Sequence, residues 1–587
     1  MPNRAPAARE GRRKAGSTLG PVPPEDGWGR GQGYPAGHAR IAAMLSLPSL
    51  LSERVRSVAG VDPELRPATR PQFGHYQTNV ALRLANAEGR PPREVAARLV
   101  EQIDLADVCE PLEVAGPGFI NLRIRAEVLA RVASDVLADE RAGISVAEHP
   151  QRVVVDYSAP NAAKQMHVGH LRSTIIGDCF TRVLRAAGHT VIPQNHLGDW
   201  GRQFGMMVEQ LIDEGGDAAD LDLPGAEALY QRANTHLSES PEFADRARER
   251  VVALQAGDPL TAQIWRQIID ISLAGFNATY RRMNVLLTDA DLAGESMYNA
   301  DLPVVAADLA ERGIAVVDDG ALVVFVDGFS APAMIRNSQG GYGYDCTDLA
   351  AVRYRIGTLA ADRLIYVVGS PQQHHFDLVF AVCRKAGYLP PEVSAEFVGF
   401  GQVLGADGKK FSTREGTAVT LDSLLDAAEE QAAPAIALAA IKYADLSSGL
   451  QKDYAFDIDR MVATTGDTGP YLQYAHARVN QILRKAAAED IGYATVTVLT
   501  EPAEHQLALL LSRFGEVVES VGETLQPHRL CGYLYELAGA LSSFYEQCPV
   551  LKSEGAVRSS RLALCAATKK VLATGLDLLG IEAPERM

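Results

Sequence analysis

Cysteine is scarce, long apolar runs are missing, and positive charge is outnumbered. The seven cysteines (109, 179, 346, 383, 531, 548 and 565) are odd in number and never spaced as C-x-x-C. That argues against a disulfide framework and against a zinc knuckle, so a reducing, cytoplasmic location is expected and no metal-ligand set is read. No stretch approaches the roughly eighteen apolar residues that a membrane span needs, and no membrane partner is expected. Lys and Arg number 56 against 73 Asp and Glu, a formal net charge of −17. The simplest signature of a nucleic-acid binder is therefore missing. Even residues 456–587 hold 12 basic against 16 acidic side chains. Any RNA contact must rest on local basic patches and on shape.

What is present is length and a globular balance. A chain of 587 residues, 47% apolar and 22% charged, has room for roughly three to five domains. Residues 1–43 are rich in Pro, Gly, Ala and Arg without apolar periodicity, and are expected to be a disordered extension. Arg12-Arg13 precedes no apolar signal core, and Met44 opens the first amphipathic pattern. Residues 44–148 suit a small α+β domain, helical around 92–103 and strand-like at "FINLRI", 119–124.

From 152 the register changes. "RVVVDYS" reads as a buried strand, and Leu171, Ile175, Cys179, Val183 and Leu184 form one helix face ending near Gly188. "TVIPQNH" follows as a second strand, completing a right-handed βαβ unit. The fold class expected is α/β: a Rossmann-type, doubly wound parallel sheet over 150–395, interrupted by a helical insertion at about 200–285. Its second half is expected to resume with "ALVVFV" (321–326) and "RLIYVV" (363–368). Residues 396–455 carry a glycine-bounded loop, and 456–587 read as an α-helical bundle.

Two elements carry chemistry. "SAPNAAKQMHVGHLRSTIIGD" (158–178) puts His167 and His170 around Gly169, after a strand and at a helix mouth. Unpaired N–H groups and the positive helix end favour a polyphosphate there, and two imidazoles can donate to its oxygens. Alone, the pattern equally fits two solvent-facing histidines that start a helix. "GADGKKFSTREGT" (405–417) adds Lys409, Lys410, Ser412, Thr413 and Arg414 after an Asp-Gly turn. It is not a Walker loop, because position 403 is Val403 and no Ser or Thr follows Lys409. Alone, such a segment is an ordinary solvated hairpin. In this order, flanking a split sheet, the pair is far more specific.

With "NHLGDWGRQFG", "TGPYLQYAHAR" and "GLDLLGIEAPERM", these stretches resemble arginyl-tRNA synthetase, a class I aminoacyl-tRNA synthetase, from about residue 44 to 587. "MHVGH" matches the family's His-Ile-Gly-His element and "KKFSTRE" its loose Lys-Met-Ser-Lys-Ser loop. The resemblance implies ligation of L-arginine to tRNA(Arg) with ATP and Mg²⁺, through an adenylate, by a mostly monomeric enzyme. It assigns His167, His170 and Gly169 to the nucleotide, and Lys410 with Ser412 to the departing pyrophosphate. Thr413 stands where many members carry a second lysine, and Lys164 looks like the substitute cation. Glu415 stands where a basic residue is common, and Pro371 precedes Gln372. The resemblance gives the arginine guanidinium to Glu295, Asp348 and Tyr344, and the amino-acid end to Asn161 and Gln372. It gives the tRNA elbow to Phe73, Tyr76, Gln77, Phe119 and Asn121, and the anticodon to the bundle, with Tyr471 and Arg478 foremost. Tyr474, His476, Tyr533 and Tyr545 are further candidates there. An inactive RNA-binding paralogue and a small-molecule nucleotidyltransferase are the competing classes.

Overall fold

The computed structural model describes residues 47–68, 70–409, 411 and 419–587. The extension at 1–43, and Lys410, Ser412, Thr413, Arg414 and Glu415 of the loop, lie outside the described residues. Among the described residues no helix is long and apolar enough to cross a membrane.

The N-terminal part contains α1 (Leu47–Ala59), β1 (Arg66–Pro67), β2 (Tyr76–Thr78), α2 (Val80–Glu88), α3 (Pro92–Gln102), β3 (Glu113–Ala115), β4 (Phe119–Leu122) and α4 (Ala126–Ala138). Its strands form an antiparallel sheet ordered β1-β2-β4-β3. Gly74 brings the chain against β4 at φ +84°, where a Cβ would lie 2.6 Å from the Leu122 carbonyl oxygen. Only glycine fits that approach.

The centre is a four-stranded parallel sheet. β5 (Arg152–Asp156) is followed by α5 (Val168–Ala186) and β6 (Thr190–Gln194); β10 (Arg363–Gly369) and β11 (Ser394–Phe400) complete the order β11-β10-β5-β6. Reversal of strand order between β5 and β10 opens the crevice where such sheets bind ligands. Val153 and Val155 of β5, with Ile365 and Val367 of β10, pack on the side of α5. Val154, Leu364 and Tyr366 face the opposite core. Burial on both faces explains why these strands read as unbroken apolar runs. Each fully buried valine is worth about 1.5–3 kcal/mol.

Between β6 and β10 the insertion supplies α6 (Arg202–Asp213), α7 (Leu223–Glu239), α8 (Pro241–Gln255) and α9 (Pro259–Arg282), then α10 (Leu302–Glu311). There follow β7 (Val316–Asp318), β8 (Ala321–Val324), β9 (Ala333–Arg336) and α11 (Tyr344–Gly357). One expectation is corrected here. "ALVVFV" does form a strand, β8, but in a separate antiparallel sheet ordered β7-β8-β9. A short buried apolar run carries no mark of which sheet receives it, and hairpin partners lay immediately on either side.

After β10, α12 (Gln373–Ala386) ends at Gly387 in the left-handed conformation, φ 69°, as expected. β12 (Val403–Gly405) pairs in parallel with β13 (Tyr454–Phe456), spanning α13 (Leu421–Glu429) and α14 (Pro434–Ser447). The C-terminal part is helical: α15 (Ile458–Met461), α16 (Gly469–Ala488), α17 (Pro502–Leu511), α18 (Phe514–Thr524), α19 (His528–Gln547) and α20 (Gly555–Leu578).

Buried charges lock α5 to these later elements. Arg172, 1% exposed, meets Asp445 of α14 at 3.3 Å and donates to the Lys452 carbonyl at 2.9 Å. One turn and a half further on, Asp178 accepts from Arg182 at 2.9 Å and lies 3.7 Å from Lys442 Nζ. Lys442 also donates to the carbonyls of Gly580 and Asn284 at 3.0 and 3.2 Å. The helix α5 of the parallel sheet, the insertion's end and the C-terminal tail therefore share one junction.

Candidate active site

The strand-to-helix passage from β5 to α5 is pinned in a costly shape. Ser158 (φ 72°), Ala159 (φ 47°) and Ala163 (φ 64°) all take positive φ, at of order 1–3 kcal/mol each. Three side chains hold it: Ser173 Oγ accepts from Ser158 N, Asn195 Oδ1 from Ala159 N, and Ser272 Oγ from Ala163 N. The held segment carries Asn161 and Lys164 to the sheet's carboxyl edge.

His167 is the N-cap of α5 in extended conformation. Its Nδ1 accepts from Gly169 N at 3.0 Å, and His170 Nδ1 accepts from His167 N at 3.1 Å. The two histidines thus form a capping box of the Ser-x-x-Glu kind. The rings lie 4.0 Å apart. Because both Nδ1 atoms accept, each neutral ring keeps its proton on Nε2, which remains a donor. Burial, then His167, pushes His170 down to about 3; burial, then Lys164, lowers His167. Both are neutral donors near pH 7. Gly169 has a second reason to be glycine, since a Cβ there would lie 2.7 Å from His167 Cε1.

The segment returning from the signature loop is bonded to this motif. Val168 N donates to Val419 O at 3.1 Å, and Leu421 N to Met166 O at 2.8 Å. On the outgoing side, Gly408 turns at φ +74° and Gly405 N donates to Lys409 O at 2.7 Å. Lys164 Nζ sits 4.3 Å from the Tyr230 ring centroid of α7.

Asn161 and Glu295 line one cavity of about 350 Å³ with Trp200, Arg202, Gln203 and Tyr230. Glu295 opens the one-turn helix Glu295–Tyr298, and Asp199 caps that turn: its carboxylate accepts from Ser296 N at 2.8 Å and Ser296 Oγ at 2.6 Å. Gly294 leaves room for it, as a Cβ would lie 2.3 Å from Asp199 Oδ2. Burial first, then the charges of Asp199 and Asp348, push Glu295 up to about 7. A carboxyl raised by burial and by two neighbouring acids favours a cation beside it.

Asp348 lies in the first turns of α11. Its Oδ2 accepts from His375 Nε2 at 2.6 Å, and His196 Nε2 stands 4.0 Å from Oδ1. Tyr344 begins α11, 68% exposed, with its ring 4.8 Å from that of His375. Gln372 is exposed at the end of β10, immediately before α12. Sequence reasoning missed Asp199, His196 and His375. The adjacent His374-His375 pair just past a strand end was the available signal for the last of these.

The elbow candidates divide. Tyr76 is corrected from surface reader to core: it is 3% exposed, because Tyr76 and Thr78 share the inward face of β2. It packs toward Arg513, Glu516 and Tyr533 of the C-terminal helices. Asn121 is 5% exposed and bonded to Gln77 at 2.7 Å across the β2–β4 pair. Gln77, Phe73 and Phe119 are half-buried. In the bundle, Tyr471 lies against Tyr535 at 5.6 Å, and the Arg478 guanidinium stands 4.0 Å from the Tyr545 ring centroid. Tyr474 and Tyr545 are 45% and 42% exposed, and Tyr474 shares a groove with Arg478, Arg484, Lys485 and Arg586. This is the local basic, aromatic patch that the acidic total concealed. His476 and Tyr533 do not belong to it. His476 is 2% exposed and bonded to the Pro584 carbonyl at 2.9 Å, and Tyr533 is 4% exposed, donating to Leu510 O.

Comparison with known proteins fits this geometry. Family models match three stretches: the arginyl tRNA synthetase N terminal domain over 46–124, the class I (R) tRNA synthetase catalytic domain over 132–436, and the DALR anticodon binding domain over 472–587. An arginine–tRNA ligase of Cutibacterium acnes is 65% identical, covering 93% of this chain and 100% of that one. Another, from Thermobifida fusca, is 48% identical over 92% and 99%. The arginyl-tRNA synthetase structure from Plasmodium falciparum superimposes with TM-score 0.78 at 26% identity, covering 94% and 99%. That from Thermus thermophilus gives 0.75 at 27%, covering 92% and 100%. The chain belongs to the arginyl-tRNA synthetase family.

Proposed function

We propose that this chain ligates L-arginine to tRNA(Arg) in protein synthesis, using ATP and passing through an arginyl-adenylate, as a cytoplasmic monomer. The observation that carries the reading is Glu295, which lines a cavity with Asn161 and whose carboxyl is pushed up to about 7 by burial and the nearby charges of Asp199 and Asp348. A permanently charged, planar guanidinium is the cation that pairs best with carboxylates there. Citrulline, isosteric but uncharged, would leave those acids unpaired.

ATP lies across the carboxyl edge of β5 and β10 in this reading. His167 and His170 donate from Nε2 to its phosphate oxygens, and Gly169 gives the nucleoside room. The arginine carboxylate attacks the α-phosphate, and pyrophosphate leaves toward Lys410, Ser412 and Lys164. Mg²⁺ enters with the triphosphate; among the described residues no three His, Cys, Asp or Glu side chains gather as a metal site. A ribose hydroxyl of the terminal tRNA adenosine then attacks the aminoacyl carbonyl and releases AMP. Asn161 and Gln372 serve the amino-acid end, and Glu295, Asp348 and Tyr344 the guanidinium. Phe73, Gln77 and Phe119 meet the tRNA elbow, and Tyr471 and Arg478 the anticodon. Positioning and charge stabilisation carry the catalysis.

Attachment of labelled arginine to a tRNA pool tests this, with lysine, glutamate and citrulline as competitors. Arginine alone should become acid-stable on tRNA. Binding of tRNA without charging would favour an inactive paralogue, and adenylation of a metabolite without RNA a nucleotidyltransferase. A pH dependence follows as well. Glu295 binds a cation as carboxylate, so 1/KM for arginine should be full above about pH 7 and fall as pH drops through that value. KM for ATP should stay flat over the same window, since His170 is already neutral above about 3.

A further inference from the structure

Asp348, the second acid assigned to the guanidinium, is not a free carboxylate. His375 Nε2 donates to its Oδ2 at 2.6 Å, and the other ring nitrogen, Nδ1, lies 3.2 Å from Asp345 Oδ1. Asp345 is itself fixed, accepting from the Met334 backbone N–H at 2.7 Å through its other oxygen. The side chains are shielded: 14% of His375 and 17% of Asp348 remain exposed, and Asp345 is 8% exposed. The Tyr344 ring lies 4.8 Å from the His375 ring on one side, and that of Phe376 lies 5.1 Å away. A ring facing carboxylates at both nitrogens is an imidazolium. Burial pulls its pKa down, but the bonds and charges of Asp345 and Asp348 outweigh that and hold it at about 9.

Two consequences follow for Asp348. With Oδ2 engaged, its rotation is fixed, and Oδ1 is the oxygen left toward His196. The imidazolium also places a positive charge between Asp345 and Asp348, within 3.2 and 2.6 Å of their oxygens.

We infer that His375 is a positioning residue for arginine recognition: clamped between Asp345 and Asp348, it fixes Asp348 so that Oδ1 meets the guanidinium. This rests on the proposed activity and adds a residue to it. Steady-state charging by the full chain with tRNA reads it out. Replacing His375→Ala should raise KM for arginine by about 10- to 100-fold, the cost that losing the hydrogen-bond partner of a metal-ligating group carries. The kcat and the KM for ATP should change by no more than about twofold, because the ring's partners are Asp345, Asp348, Tyr344 and Phe376, none of them assigned to the nucleotide. His375→Gln, with one donor to place, should lie between, and added imidazole should lower the arginine KM of His375→Ala toward the wild type.

An unchanged arginine KM would overturn the inference, as would parallel loss of arginine and ATP affinity that neither glutamine nor imidazole restores. Should His375→Ala not fold, the same comparison is made with His375→Gln. A wild-type chain that charges no arginine would instead defeat the proposed function, so the two failures are distinguishable.

Discussion

His170→Ala lowers tRNA-dependent, arginine-dependent ATP–pyrophosphate exchange by about 100- to 1,000-fold, the cost of removing one preorganised donor from a developing anion. Affinity for tRNA should be unchanged, since half-buried His170 is not among the residues proposed to meet the elbow or the anticodon. The same ring accepts the His167 N–H at 3.1 Å, so the alanine variant also loses part of a helix cap, at about 1 kcal/mol of stability. His170→Asn separates the two roles. Its side-chain oxygen can accept that N–H while offering no imidazole Nε2–H to phosphate. Stability should return and activity should not. Restored activity in the asparagine variant would mean that capping alone was the histidine's contribution.

The second large effect is on folding. Asp178→Ala should destabilise the protein by about 3–5 kcal/mol, because Lys442 would be left a buried cation without its acid and Arg182 would keep only Asp577, 3.0 Å away and itself exposed. Asp178 and Lys442 are each 1% exposed, and Arg182 is 9% exposed. Asp178 also accepts from the Leu286 backbone N–H at 2.8 Å, and that donor would be orphaned too. Burial already pulls Lys442 down to about 8 against the pull of Asp178 upward. Denaturant melts of this variant and of Arg353→Ala make the comparison. Arg353 pairs with Asp301 at 3.4 Å with both side chains more than 40% exposed, and a surface pair contributes about 0–1 kcal/mol. Equal melts for the two variants would show that the junction adds nothing, despite joining α5 to α14 and the tail.

Much of the site's frame was legible in the sequence. Strands β5 and β10 announced themselves as unbroken apolar runs, and α5 by the spacing of Leu171, Ile175, Cys179 and Val183. Both patterns are local and periodic. "ALVVFV" was legible as a strand but not as a member of a particular sheet. Tyr76 was misread because a three-residue strand is too short to reveal its alternation, and the surface that buries it lies more than four hundred residues away in α18 and α19. His476 likewise looked like a polar reader beside Tyr474. It is fixed by a carbonyl of the tail that folds back along α16. Asp199 and Asp345 carry no local signature, and the His374-His375 pair does not name its partner: Asp199 acts on the turn holding Glu295, His375 on Asp348 across 27 positions, and Asp345 reaches Asp348 only through that ring.

By itself the sequence determined the βαβ frame, the histidine element at its helix mouth and the helical character of the C-terminal part. Helix and strand periods, and the capping role of residues at a turn, are written within a dozen neighbouring positions. The tertiary structure alone decided which charges meet. One such meeting gives Glu295 its raised pKa and Asp348 its histidine clamp; another, where α5 meets α14, gives Lys442 its acid. Burial and Coulomb interaction act through space, and only the folded chain brings those atoms within a few ångströms.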